Sequence, residues 1–130
     1  MSQSECVVLV GATGAMGQVI ARRLAGRGLR VLAVARSADS LKGLTASAQG
    51  IEACAADISQ DAAIEAIKGA VGTDVVRMIV HGPGVTTAGG VLSAPTEAVV
   101  EAVNIKVGGM MRLVRAVDKN LVSGSRLIAI

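Results

Sequence analysis

The chain has 130 residues, 52% of them hydrophobic and 18% charged, which suits one compact domain with a sizeable core and argues against disorder. Its apolar runs, such as Cys6 to Val10, are about five residues long, against the roughly 20 that a membrane helix needs. The net charge of +3 comes with no aromatic residue, so the stacking platforms of single-strand binders are missing, and neither a membrane nor a nucleic acid is expected as a partner.

In chain order, the leading residues MSQSEC carry an acid instead of the basic run and long apolar stretch of a signal peptide. Export is therefore not expected, and the cytoplasm is the expected location. Cys6 to Val10 reads as a first strand. A helix from about Gly14 follows, with Met16, Val19, Ile20 and Leu24 on one face and Gly26 and Gly28 as its stop. Arg22, Arg23, Arg27 and Arg30 fall where a solvated helix end would put them. Val31 to Ala35 is the second strand. A short helix carrying Leu41 and Leu44 leads to a third strand at Ile51 to Ala55. Ser59 is a plausible cap for a helix with Ile64, Ile67 and Val71 inside. Val75 to Val80 forms a fourth strand, and a glycine-rich connection from Gly82 to Gly90 precedes a long helix from Thr96 to Asp118. Arg126 to Ile130 reads as strand five. The sequence stops inside this apolar strand without a turn or polar tail, so residues 1–130 are expected to be one domain that is incomplete at its C-terminus. Cys6 and Cys54 fall on different strands and read as reduced core residues. With two Cys and one His in the chain, no metal site is expected.

Alternating strands and helices imply repeated βαβ units, a doubly wound α/β sheet of Rossmann type and, with right-handed crossovers, the order 3-2-1-4-5. Between the first strand and its helix lie Gly11, Ala12, Thr13, Gly14, Ala15, Met16 and Gly17. In that setting Gly11 permits a tight turn, Gly14 lets the backbone approach a pyrophosphate and Gly17 lets the helix pack close to the sheet. The helix N-terminus adds free amides and a partial positive charge. Taken alone the glycines also fit a tight turn in an alanine-rich chain. No Lys followed by Ser or Thr comes after them, which excludes a Walker A loop. NAD-binding folds put an acid at the end of strand two for the ribose 2′-hydroxyl. Here Ala35 is followed by Arg36 and Ser37, a cation and a hydroxyl suited to a 2′-phosphate. NADP(H) is therefore expected over NAD(H), with Arg36 as a merely solvated loop residue the alternative.

Over essentially its whole length the sequence resembles the short-chain dehydrogenase/reductase family. The evenly spaced glycines, preceded by Val10 where the family often has Thr, resemble its extended or atypical loop. Asp57 and Ile58 match the pair that meets the adenine ring, and His81, Gly82, Pro83 and Gly84 stand where the family has Asn-Asn-Ala-Gly. That turn departs from the pattern at its first three residues. The resemblance thus assigns Gly11, Thr13, Gly14, Ala15, Met16, Gly17, Arg36, Ser37, Asp57, Ile58, His81, Gly82 and Gly84 to the cofactor, although His81 also fits a packed strand-end residue. Asn104, followed by Gly108, resembles the family's "Asn, any, any, any, Gly" stretch, whose Asn organises a proton-relay water. Its alternative is a partly exposed polar residue. The family's Ser, Tyr and Lys are expected beyond residue 130, and the chain has no Tyr at all.

The resemblance implies hydride transfer between a nicotinamide and a small carbonyl or alcohol substrate, with the catalytic Ser/Tyr/Lys portion outside these residues. A non-catalytic NADP(H)-binding sensor is the second reading. A third is an oligomer-forming module: Val99, Val103, Val107, Met110 and Val114 are expected to cover the sheet, while Val100, Met111 and Val117 widen the stripe, and related enzymes pair through this helix. Sequence alone names no substrate.

Overall fold

The computed structural model describes residues 4–130. The export reading of the leading residues falls in part on residues 1–3, outside the described residues. Five strands, β1 (Glu5–Val10), β2 (Arg30–Ala35), β3 (Ile51–Ala55), β4 (Val75–His81) and β5 (Leu121–Ala129), alternate with α1 (Ala15–Gly26), α2 (Ala38–Ser47), α3 (Ala62–Val71), α4 (Thr96–Val103) and α5 (Gly109–Val117). All neighbours pair in parallel, in the order β3-β2-β1-β4-β5. Among the described residues no helix is long and apolar enough to cross a membrane.

Beyond Glu5, β1 is apolar at every position because a parallel strand covered on both faces has no solvent side. Its alternating residues serve two cores. Cys6, Val8 and Val10 pack with Leu32, Val34, Ile67 and Leu113 on the α3 and α5 side. Val7 and Leu9 pack with Ala21, Leu41 and Leu44 on the α1 and α2 side. Cys6 and Cys54 are free and buried, and burial raises both thiols above their ordinary pKa, which keeps them unreactive.

Several local expectations are corrected. Met16 and Val19 are exposed, and α1 turns Ala21 with Ile20, Leu24 and Ala25 to the sheet. A Cβ on Gly17 would lie 2.2 Å from Gly11 O, so this glycine must face the turn, and that fixes the helix's rotation. Ser59 does not cap α3, which starts at Ala62 with no side-chain cap; it belongs to the preceding turn. Arg30 is not at a helix end but opens β2, where it pairs with Glu52 and Asp74 at 2.7 and 2.6 Å. β5 begins five residues earlier than expected, its register with β4 shifting between Val76 and Met78; Gly124 (φ 91°) lies in this stretch, and Ser125 Oγ donates to Val76 O at 2.7 Å.

The long helix is not continuous. A π-helical turn over Asn104–Gly108 separates α4 from α5, and a 3-10 turn over Asp118–Asn120 ends the run. Each π-helical turn takes in an extra residue, so the faces before and after it are out of phase. Gly109, Leu113, Ala116 and Val117 are buried against the sheet with Met110 and Val114 beside them, whereas Val99, Val103 and Val107, expected inside, are exposed.

Candidate functional site

From β1 the chain crosses to one face of the sheet and from β4 to the other. The carboxyl ends of these neighbouring strands therefore diverge into a crevice, the place where open α/β sheets take ligands. Gly11 starts the loop with φ 83°, a left-handed conformation that favours glycine, and its amide donates to Val34 O at 3.0 Å. Gly14 is the extended N-cap residue of α1 and has no capping side chain, so the first amides of the helix lack intrahelical acceptors.

The three glycines differ in what forbids a side chain. At Gly11 a Cβ would come within 2.9 Å of Pro83 N, and at Gly17 within 2.2 Å of Gly11 O. At Gly14 the nearest atom would be Gly11 O at an ordinary 3.4 Å. Protein packing therefore explains Gly11 and Gly17 but not Gly14, whose open surface fits the close approach of a ligand.

A cleft of about 420 Å³ runs from this loop towards β3. Of the residues expected to meet a cofactor, Gly11, Thr13, Arg36, Asp57, Ile58 and Gly84 line it. Gly14, Ala15, Met16, Gly17 and Gly82 line an adjoining hollow of about 190 Å³ that shares Gly11. Arg36 is exposed at the cleft edge and has no hydrogen bond or ion pair among the described residues. Ser37 lines neither space; its hydroxyl caps α2 by accepting from Ser40 N at 3.2 Å. Asp57 Oδ1 accepts from Ser59 Oγ at 2.7 Å and Ser59 N at 3.0 Å. These bonds hold the carboxyl below its ordinary pKa, with Arg36 and Arg112 adding to the effect.

His81 lies under the cleft and not in its wall. Its ring is fully buried, with Nε2 donating to Ile105 O at 2.9 Å and Nδ1 unpartnered among the described residues. A Cβ on Gly109 would lie 2.7 Å from the ring, so the imidazole fills the space of the missing side chain. Burial pushes its pKa down, and the Lys106 ammonium does so too.

Asn104 opens the π-turn. Its Nδ2 donates to Ser59 O at 3.1 Å and its Oδ1 accepts from Arg112 Nη2 at 2.8 Å, an explanation for a polar residue inside a helical run. Lys106, two residues on, donates from Nζ to Pro83 O at 3.1 Å and to Ile130 O. Sequence reasoning missed Glu101 and Ile105, which line the cleft, and Arg112. Glu101 stands on α4 and Ile105 in the π-turn, and no motif announces any of the three.

The model of the short chain dehydrogenase family matches residues 5–130. A short-chain type dehydrogenase/reductase of Sinorhizobium fredii is 29% identical over 127 residues, which are 97% of this chain and 50% of that protein. An oxidoreductase of Mycobacterium tuberculosis is 41% identical over 64 residues, 49% of this chain and 25% of its own length. The chain thus spans half or less of these relatives. Among solved structures, a short-chain dehydrogenase/reductase of Serratia marcescens superposes with a TM-score of 0.87 at 23% identity, over 98% of this chain and 55% of that one. An actinorhodin polyketide ketoreductase with NADPH superposes with a TM-score of 0.82 at 28% identity, over 90% of this chain and 47% of that one.

Proposed function

The chain belongs to the short chain dehydrogenase family, and on that premise we propose that it is the cofactor-holding part of an NADP(H)-dependent oxidoreductase acting on a small carbonyl or alcohol substrate. The observation that carries the reading is the glycine cradle, open above Gly14, with Arg36 exposed at the cleft edge. The pyrophosphate is held by the backbone amides from Gly11 to Gly17, the 2′-phosphate by Arg36, and the adenine end by Asp57 and Ile58, with Gly82 and Gly84 flooring the crevice. When bound, the nicotinamide supplies a hydride donor or acceptor. The 130 residues include no Tyr, and the proton that such a reaction moves is assigned to residues outside them. Asn104 is the residue within them proposed to serve the proton path. The two relatives, a dehydrogenase/reductase and an oxidoreductase, favour the enzyme over the sensor. A reducing cytoplasm agrees with the two free cysteines.

The same reading includes a homo-oligomer. Val99, Val100, Val103, Val107 and Met111 are between 43% and 62% exposed along α4, the π-turn and α5, a stripe of the kind that a second copy covers. Val103→Glu with Val107→Glu is expected to shift the particle to monomer in sedimentation.

The test is calorimetric titration of the full gene product with NADPH and NADH, followed by assay with aldehydes, ketones and quinones. Saturable NADPH binding and NADPH oxidation with one substrate class are expected. The segment 1–130 alone is expected to show no carbonyl reduction above background. A full gene product that binds neither nucleotide overturns the reading.

A further inference from the structure

The two walls at the β3 end of the cleft come from distant parts of the chain. One is the turn after β3, with Asp57 and Ile58; the other is the π-turn, with Ile105. Arg112, in the first turns of α5, joins them with a side chain only 14% exposed. Its Nη1 donates to Ile58 O at 2.9 Å and to Asn104 O at 3.4 Å, its Nη2 to Asn104 Oδ1 at 2.8 Å and its Nε to Asp61 Oδ1 at 2.8 Å. Asn104, oriented in this way, gives Nδ2 to Ser59 O at 3.1 Å.

A simple surface ion pair does not account for this arrangement. Asp61 is 83% exposed, and a pair with so exposed a partner contributes little. The remaining bonds go to backbone and amide oxygens, which a planar guanidinium fork reaches together and an ammonium does not. Gly108 points the same way: a Cβ there would lie 2.9 Å from Asn104 Oδ1 and 3.2 Å from Arg112 Nη1. The network thus excludes a side chain at a third position.

We propose that Arg112 is a positioning residue for the cofactor, fixing the Asp57 to Ser59 turn against α5 so that Asp57 and Ile58 meet the adenosine end of a bound dinucleotide in one fixed geometry. The inference rests on the nucleotide reading above. Arg112→Met keeps most of the apolar stem and removes the fork. Affinities for NADPH and for adenosine 2′,5′-bisphosphate should then fall by the same factor, about tenfold, because the loss is confined to the adenosine end. In turnover, KM for NADPH should rise, and Arg112→Lys should restore only part of the affinity. If Arg112→Met does not fold, Asn104→Asp takes its place: it keeps the acceptor for Arg112 and removes the donor to Ser59 O. The same loss of bisphosphate affinity is expected. Unchanged bisphosphate affinity in the folded variant overturns the inference, as does a loss seen with NADPH alone. A wild-type protein that binds neither ligand overturns the nucleotide reading and this inference with it. A wild-type that binds both and a variant that binds equally well overturn the inference alone.

Discussion

The two ends of the cleft are made from different materials. At the glycine end the surface offered to a ligand is backbone, shaped by Gly11, Gly14 and Gly17 within seven residues of sequence. At the β3 end it is a side-chain lattice of Asp57, Ser59, Asn104, Asp61 and Arg112, whose bonds across the cleft join residues 45 to 54 positions apart. A backbone cradle is specified by local conformation and is insensitive to pH. A side-chain lattice exists only once the sheet and α5 have packed, and its parts are replaceable singly.

The largest effects belong to the backbone end, and they separate two kinds of glycine. Gly14→Val should leave the fold intact, with unfolding free energy within about 1 kcal/mol of wild type, while NADPH binding is abolished. Gly17→Ala should lower stability by about 3 kcal/mol, because its Cβ, 2.2 Å from Gly11 O, forces backbone to move, and should lose binding as well. Denaturant unfolding and titration of both variants check the pair. Wild-type affinity in Gly14→Val would make the loop a turn without a ligand.

A smaller effect is expected at Arg36, exposed between the two ends. With Arg36 in place, NADPH should bind at least tenfold more tightly than NADH, about 1.4 kcal/mol, and Arg36→Asp should reverse the order. Equal affinities for the two cofactors in the wild type would show that Arg36 is only a solvated loop residue.

The same contrast explains what was legible in the sequence. The strand order and the two-faced burial of β1 follow from continuous apolar runs and alternation, and the glycine spacing located the loop. The π-turn was not legible. Asn104 and Gly108 marked its place, but the phase change that turns Val99, Val103 and Val107 outward comes together with the bonds of His81 to Ile105 O and of Arg112 to Asn104, contacts that no local pattern encodes. Ser59 reads as a helix cap because its residue type suits one, yet Asp57 takes its hydroxyl and amide first. For Met16 and Val19 the period was right and the phase wrong, since the Gly17 contact sets the rotation of α1.

The last predicted effect lies beneath the cleft, at a side chain that titrates. His81 is buried with Nε2–H on Ile105 O and Nδ1 unpartnered among the described residues, so protonation of Nδ1 would bury a charged donor beside the Lys106 ammonium. Burial accordingly lowers its folded-state pKa below the ordinary 6.5. Well above pH 6.5 neither the folded nor the unfolded chain holds the proton, and stability is full. As pH falls through that value the unfolded chain gains a proton that the folded chain refuses, so stability drops by up to about 1.4 kcal/mol per pH unit until the folded-state pKa is reached. Asp57, whose pKa is also lowered, weakens the fold only in the more acid carboxylate range, so the two contributions separate along the pH axis. His81→Gln offers a donor to Ile105 O without a titrating group. Denaturant unfolding from pH 8 to pH 5 should show the slope in the wild type and a flat line in the variant. An equal slope in both would assign the acid sensitivity to another group and leave His81 as packing alone.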